Sequence, residues 1–406
     1  MRRAEKVTGN NEAGRNTPSI FVENFFHFLT VLLLFFALLW EQKGLIYLSI
    51  LLLIMINSAR LWCCLSLRGV DASLRIDRVK VFPGEKILVD SQVQNSRLLP
   101  VWLQMEVPLS RGFSHSYGGD ILSGESGLLW REKITWKWEL TAPKRGCYMI
   151  GPPSLITGDL LGFFQRRKAI IPLSWITVFP RLVSLNPLPT PLEEFFGKQG
   201  AKNPIEDPVY PVATRDYRSG RPARHIHWKA SLRHNRLQEK VFEPSSRKKI
   251  LLAIDVEQFQ RNEDEESFEA VLEVAATLAV RLNFQGSSFG LVSNGLMLHG
   301  NSAVLSLFRG ELHLQSILEA LAALQMEAQK TLAEILSQSC DMFRGCSCLY
   351  LSCQSGKGTH EAVEILKNYR IPSIFVFTTP GEDIPEGAGQ RVFKLDEIYS
   401  GSEISV

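Results

Sequence analysis

The sequence lacks a Walker-type phosphate loop: Ser355-Gly-Lys-Gly358 falls short of the Gly-x-x-x-x-Gly-Lys-Ser/Thr pattern that cradles nucleotide phosphates. Charge of one sign is also missing. With 45 Lys and Arg against 42 Asp and Glu, the net charge is +3, which excludes a surface built as a whole for nucleic acid. The seven cysteines are odd in number and show no spaced extracellular disulfide framework, so reduced thiols are expected. Cys340, Cys346, Cys348 and Cys353 lie close in sequence, but Cys348 falls in an apparent buried strand, where a thiol behaves as a small hydrophobe, and zinc is not expected. These absences point away from an enzyme.

Apolar sequence, by contrast, is plentiful: 406 residues, 45% apolar and 21% charged, suffice for two or three packed units. Phe25 to Trp40 carries no charge, and extended back to Ile20 it makes roughly 31 Å of helix, enough to cross a hydrocarbon core. After Glu41-Gln42-Lys43-Gly44 a second run, Leu45 to Ala59, reaches spanning length if Arg60 snorkels to the headgroups and Leu61 to Leu65 continue the helix. Residues 20–68 therefore read as a two-helix transmembrane hairpin behind a cytoplasmic tail, 1–19. The first run is too long for a signal-peptide core and has no small-x-small cleavage site near its end. Arg2, Arg3, Lys6 and Arg15 precede the hairpin and Arg60, Arg68, Arg75 and Arg78 follow it, while the turn has only Lys43, so both ends are expected in the cytoplasm.

Residues 69–183 read as an antiparallel β-sandwich. Ser73 to Val81 and Lys86 to Asn95 alternate around a Pro83-Gly84 turn, and Ile134, Trp136, Trp138 and Leu140 share one strand face. Leu185 to Tyr210, with Pro187, Pro189, Pro191, Pro204 and Pro208, reads as an irregular connector, the first part of a segment 184–248 that ends in a basic stretch. Residues 249–406 alternate strand and helix. Lys249 to Asp255 is an apolar run ending in a carboxylate, and Phe268, Val271, Leu272, Ala275, Leu278, Ala279 and Leu282 fall on one helix face before Gly286. That alternation predicts a doubly wound α/β layer and makes the whole chain a membrane-anchored α+β protein.

The basic stretch from Thr214 to Arg233 places Arg215, Tyr217, Gly220, Arg224, Ile226, Trp228, Lys229 and Arg233 at the spacing Arg-x-Tyr-x-x-Gly-Asp-x-x-Arg-x-Ile-x-Trp-Lys-x-x-x-Arg. In this it resembles the bacterial family known as domain of unknown function 58. Arg145-Gly-Cys-Tyr with Gly151-Pro152, and Asp159-Leu-Leu-Gly162-Phe163-Phe164, resemble the same family. The resemblance implies a von Willebrand factor A-like module over 249–406, an inner-membrane location, and partnership with a MoxR-type AAA+ ATPase that activates or remodels client proteins. Gly220 is followed by Arg221 where the family usually has Asp, so a carboxylate expected to brace the arginines is missing.

Such a module often carries a metal-ion-dependent adhesion site, Asp-x-Ser-x-Ser at the end of its first strand with a Thr and a second Asp on later loops. Here Asp255 holds the first position, but Glu257 and Phe259 stand in place of the serines and Cys353 replaces an oxygen ligand. Asp255 and Glu257 are the only candidates in a degenerate site, and no magnesium, calcium or other cofactor is expected.

Three physical readings of the basic stretch stay open. Its arginines could contact phosphates while Tyr217 and Trp228 stack on bases; His225, His227 and His234 could ligate metal or move protons; or Tyr217 and Trp228 could bury while arginines pair with Asp207, Glu239 and Glu243. Architecture is the default, with no nucleic acid expected. The function expected is that of a multi-pass inner-membrane adaptor with cytoplasmic domains, acting by protein binding. A membrane-associated hydrolase or an anionic-ligand binder is the alternative.

Overall fold

The computed structural model describes residues 20–66, 68–115, 119–158, 165–170, 173–187, 205–217, 226–245, 249–298, 300–343, 345–379 and 392–403. The chain divides into two compact units, Met1–Ile176 and Thr177–Val406.

The first unit opens with two packed helices, α1 (Ile20–Leu39) and α2 (Lys43–Ser66), joined by a turn in which Glu41 is left-handed at φ 50°. Of the described helices, α2 is long and apolar enough to cross a membrane; the apolar part of α1, Phe25–Leu39, is shorter. Fifteen residues rise roughly 22 Å, less than a hydrocarbon core of about 30 Å. The described residues thus hold one helix both long and apolar enough to span where the sequence predicts two. The last turns of α2 change character: Ala59, Cys63 and Ser66 are buried, and the helix touches the strands that follow.

Those strands are β1 (Val70–Ile76), β2 (Lys80–Val81), β3 (Lys86–Asn95), β4 (Val101–Pro108), β5 (Ser114–His115), β6 (Ile121–Leu128), β7 (Lys133–Thr141), β8 (Gly146–Ile150), β9 (Ser154–Gly158), β10 (Gln165–Ala169) and β11 (Ser174–Val178). One sheet has the order β1-β3-β7-β5 and a second β10-β9-β4-β6, all antiparallel; β2-β11-β8 form a third. The period-two pattern explains why the first two sheets share a core. β3 buries Ile87, Val89 and Val93, and β4 buries Leu103, Met105 and Val107, each removal from water contributing about 1.5–3 kcal/mol. Across that core the Ser91 hydroxyl lies 2.7 Å from the Met105 sulfur. A Cβ on Gly124 of β6 would come within 2.8 Å of the Trp136 ring on β7, so only glycine lets the two pack so closely. On β7 the predicted face is the inner one, with Trp138 and Leu140 buried and Ile134 and Trp136 half-buried.

In the second unit β12 (Val183–Leu185) pairs with β21 (Tyr399–Glu403), so Val183, expected at the end of the sandwich segment, belongs here. β13 (Ile205–Asp216) and β14 (Gln238–Ser245) form a long hairpin. The expected connector is therefore partly a strand. Its prolines are accommodated by register shifts between Glu206 and Pro211 and between Pro211 and Ala213, where a missing N–H does not break the ladder. Then come β15 (Lys249–Asp255), β16 (Ser288–Leu296), β17 (Ser302–Phe308), β18 (Ser347–Ser352), β19 (Ser373–Phe377) and β20 (Val392–Lys394) in one sheet of order β17-β16-β15-β18-β19-β20. All neighbours are parallel except β16 and β17. Counting β15 as first, the order is 3-2-1-4-5-6, that of a doubly wound sheet, with the reversal between β15 and β18. Helices Glu265–Phe284, Glu311–Ala323, Leu332–Ser339 and Lys357–Asn368 connect the strands. The first buries the predicted face from Phe268 to Leu282, begins on Asp264 accepting from the Ser267 N–H at 3.0 Å, and ends before Gly286 at φ 68°.

Candidate functional site

The reversal of strand order sets the carboxyl end of β15 beside that of β18, with Asp255 in register with Ser352. Ligands of open α/β sheets bind outside such a point. Here Asp255 is only 1% exposed, and both its oxygens are engaged. Oδ1 accepts from Asn294 Nδ2 at 2.9 Å and from the Glu257 N–H at 3.2 Å; Oδ2 accepts from the Tyr350 hydroxyl at 2.6 Å. Asn294 in turn accepts from the Val256 N–H at 2.7 Å. Tyr350 also lies 3.5 Å from the Thr359 hydroxyl, which accepts from the Gly356 N–H at 3.1 Å. Burial, then the Asp255 charge, pushes the Tyr350 phenol well above its ordinary pKa, so it keeps its proton and donates. A Cβ on Gly356 would collide with the Gln258 amide, which explains glycine at this close approach.

This arrangement does not fit a hard cation. Magnesium would have to displace three donors from a buried carboxylate and find further oxygens in octahedral geometry. Glu257, the other candidate ligand, opens the short helix Glu257–Asn262 and forms an ion pair with Arg261 one turn along it. Cys353 is buried beside Asn262, whose Nδ2 lies 3.5 Å from its sulfur. Cys340, Cys346 and Cys348 sit in a core with Leu336 and Phe343, where burial pushes the Cys346 thiol up to about 12 and the Cys348 thiol well above its usual value. Thiols so desolvated are poor nucleophiles and poor ligands. Among the described residues, no three His, Cys, Asp or Glu side chains converge as a metal site.

The basic stretch is built differently. Arg215 on β13 pairs in register with Glu239 on β14, and the two side chains form an ion pair whose carboxylate is fully buried. Asp216 accepts from Gln238 Nε2 and faces Arg236 at 3.3 Å. The chain returns through Ile226, buried and bridged to Glu239, into the short helix Trp228–His234. His227 caps that helix, its Nδ1 accepting from the Ala230 N–H at 3.1 Å. Ser231 latches helix to hairpin: its hydroxyl donates to the His227 carbonyl at 3.0 Å and accepts from the Gln238 N–H at 2.9 Å.

Against this framework the expected burial of Trp228 is wrong. Trp228 is 64% exposed, because the helix turns Ser231 inward and leaves Trp228 and Leu232, four residues apart, on the outer side. Leu232 is 85% exposed; Lys229, Arg233 and Leu237 are exposed too. Tyr217 is half-buried, its N–H bonded to the Leu237 carbonyl at 2.9 Å. Gly220, Arg224, Arg221 and His225 lie outside the described residues, as do the side chains of Asp207, His234 and Glu243. Asn294, Tyr350 and Thr359, which make Asp255 a structural group, carry no local sequence signal.

Residues 213–345 match the family model described as "Protein of unknown function DUF58". The chain is 23% identical over 266 residues to the "Uncharacterized protein YeaD" of Bacillus subtilis (strain 168), an alignment covering 64% of each; it thus spans less than two thirds of that relative's length. Among solved structures, the complex of zinc 2-glycoprotein with prolactin inducible protein from human seminal plasma is 11% identical with a TM-score of 0.22, covering 28% of this chain and 97% of that one. A FixG-related protein from Vibrio parahaemolyticus is 15% identical with a TM-score of 0.19, covering 28% of this chain and 98% of that one. Scores so low carry no argument about this chain. The relationship that stands is the match of the basic hairpin and the first strands of the α/β sheet, residues 213–345, to a DUF58 domain, a description that names a family and no reaction.

Proposed function

We propose that the protein is a membrane-anchored, non-enzymatic adaptor that binds a protein partner through the outer side of the helix Trp228–His234. The observation that carries this reading is the exposure of Trp228 and Leu232 beside Lys229 and Arg233 on a helix latched from behind by Ser231. Large apolar side chains held open by a rigid support, flanked by cations, form the usual centre of a binding surface. Length and composition of α2 support the anchor, and the charge distribution supports a two-span topology at the inner membrane with both units in the cytoplasm. The 3-2-1-4-5-6 order supports a von Willebrand factor A-like module working without its metal. The family resemblance suggests a MoxR-type AAA+ ATPase as partner. A hydrolase has less support, because His227 uses Nδ1 as a helix cap.

Crosslinking and recovery from native membranes tests this. A discrete partner should be recovered with the parent and lost with Trp228→Ala/Leu232→Ala, the variant remaining folded. Equal recovery with both chains sinks the proposal.

A further inference from the structure

Where α2 ends, the sandwich presents a second surface that the adaptor role does not use. The β3–β4 loop at Ser96–Leu99 and the β6–β7 loop at Leu129–Arg131 form one tip, tied together by Asn95. This buried side chain donates from Nδ2 to the Leu99 carbonyl at 2.8 Å and the Leu129 carbonyl at 3.0 Å. The Arg131 N–H bonds the Arg97 carbonyl at 3.3 Å, and the Ser96 N–H bonds the Gly69 carbonyl at 2.9 Å, which fixes the tip to the junction between α2 and β1. Leu98 is 72% and Trp130 is 60% exposed, an outlay of apolar surface that a purely water-facing loop would not carry. Between the loops and Leu65 of α2 lies an open pocket of about 430 Å³ bordered by Arg97 and Arg131. Both arginines are exposed, and neither forms a salt bridge among the described residues.

Trp and Leu beside paired cations, at the end of an apolar helix of spanning length, form the pattern of a membrane interface: aromatic and aliphatic groups at headgroup depth, guanidinium groups on phosphate. We propose that this tip rests on the leaflet from which α2 emerges and that Arg97 and Arg131 hold the phosphate of an anionic phospholipid in the pocket against Leu65. The inference rests on α2 spanning the bilayer. With Cys63 and Ser66 buried against the strands, and only three residues between α2 and β1, the tip has a set height above the helix end, which makes the contact a consequence of anchoring.

The test uses the full chain in phosphatidylcholine vesicles containing trace spin-labelled phosphatidylglycerol or spin-labelled phosphatidylcholine, comparing the motionally restricted fractions. Phosphatidylglycerol should be preferred by about fivefold for each cation that reaches the phosphate. Arg97→Gln/Arg131→Gln should bring the ratio toward one, and millimolar inorganic phosphate should leave the parent's preference in place. No preference in the parent, an unchanged preference in the variant, or its removal by inorganic phosphate overturns the lipid site. Extraction of the chain by alkaline carbonate overturns the anchor as well; retention without preference overturns the lipid site alone.

Discussion

Two places in the second unit carry the residues that first suggest function, and they are built in opposite ways. At the end of β15 the carboxylate is buried and three donors converge on it; on the basic hairpin the buried Glu239 carboxylate takes the exposed Arg215 as its ion-pair partner while an aromatic, two leucines and two cations face outward. The first uses charge to hold four elements together. The second uses charge to hold a surface open. A carboxylate at a switch point is therefore no evidence of a ligand until its lone pairs are accounted for, and a basic run is no evidence of a solvated face until its aromatic residues are placed.

The contrast breaks most visibly at Asp255. Asp255→Ala removes the acceptor of Tyr350, Asn294 and the Glu257 N–H and should destabilise the chain by about 3–5 kcal/mol, since three donors lose their partner at about 1–3 kcal/mol each. Urea unfolding followed by intrinsic fluorescence in detergent reads this. If the variant unfolds like its parent, the carboxylate is not structural and the two sites are not opposites. Trp228→Ala should do the reverse: a stability change within about 0.5 kcal/mol and a loss of at least about 2 kcal/mol in partner affinity, some thirtyfold. A large drop in stability with binding retained would return Trp228 to an architectural role.

The fold was legible wherever burial follows a short period. The alternation on β7 and the unbroken apolar run of β15 declared their faces because neighbours in sequence are neighbours in the element. The sites were less legible. Tyr350 reaches Asp255 from 95 residues away and Asn294 from 39, and nothing near Asp255 in sequence reports them. Trp228 was misplaced because residue type favours burial, while the inward side of its helix is set by Ser231, a small polar residue whose latch appears only once β14 is in place. Pro208 reads as a break because sequence shows the missing donor and not the bulge that makes it harmless.

A finer measure of the closed site is its response to alkali. Tyr350 has its pKa raised by folding, so its contribution is complete below the unfolded value of about 10 and is lost as pH rises above it toward the folded value. Cys346 and Cys348, raised in the same direction, act with the same sign from a lower starting pH. The parent should therefore lose stability progressively in strong alkali. Tyr350→Phe should cost about 1.5–3 kcal/mol at neutral pH for the lost charge-assisted bond and should flatten the decline above about pH 10, leaving the part due to the thiols and to Tyr399, whose phenol is also raised by burial and the Glu273 charge. An unaltered alkaline limb in the variant would mean that the phenol is not the donor to Asp255.

The smallest effect is expected from the cation itself. Magnesium at saturating millimolar concentration would add about 2.7 kcal/mol to a native state that bound it with a dissociation constant a hundredfold lower, a shift readily seen in thermal unfolding. With Oδ1 and Oδ2 of Asp255 occupied, Glu257 paired to Arg261, and Phe259 and Cys353 where oxygens would be needed, no shift should appear with magnesium, calcium or manganese. A rise in melting temperature that Asp255→Ala abolishes would show that the donors around the carboxylate yield to a metal. Partner binding would then run through a shared cation at the switch point rather than through Trp228, and a second measurement separates these: chelation should weaken the complex in that case, and should leave it untouched if the exposed helix is the contact.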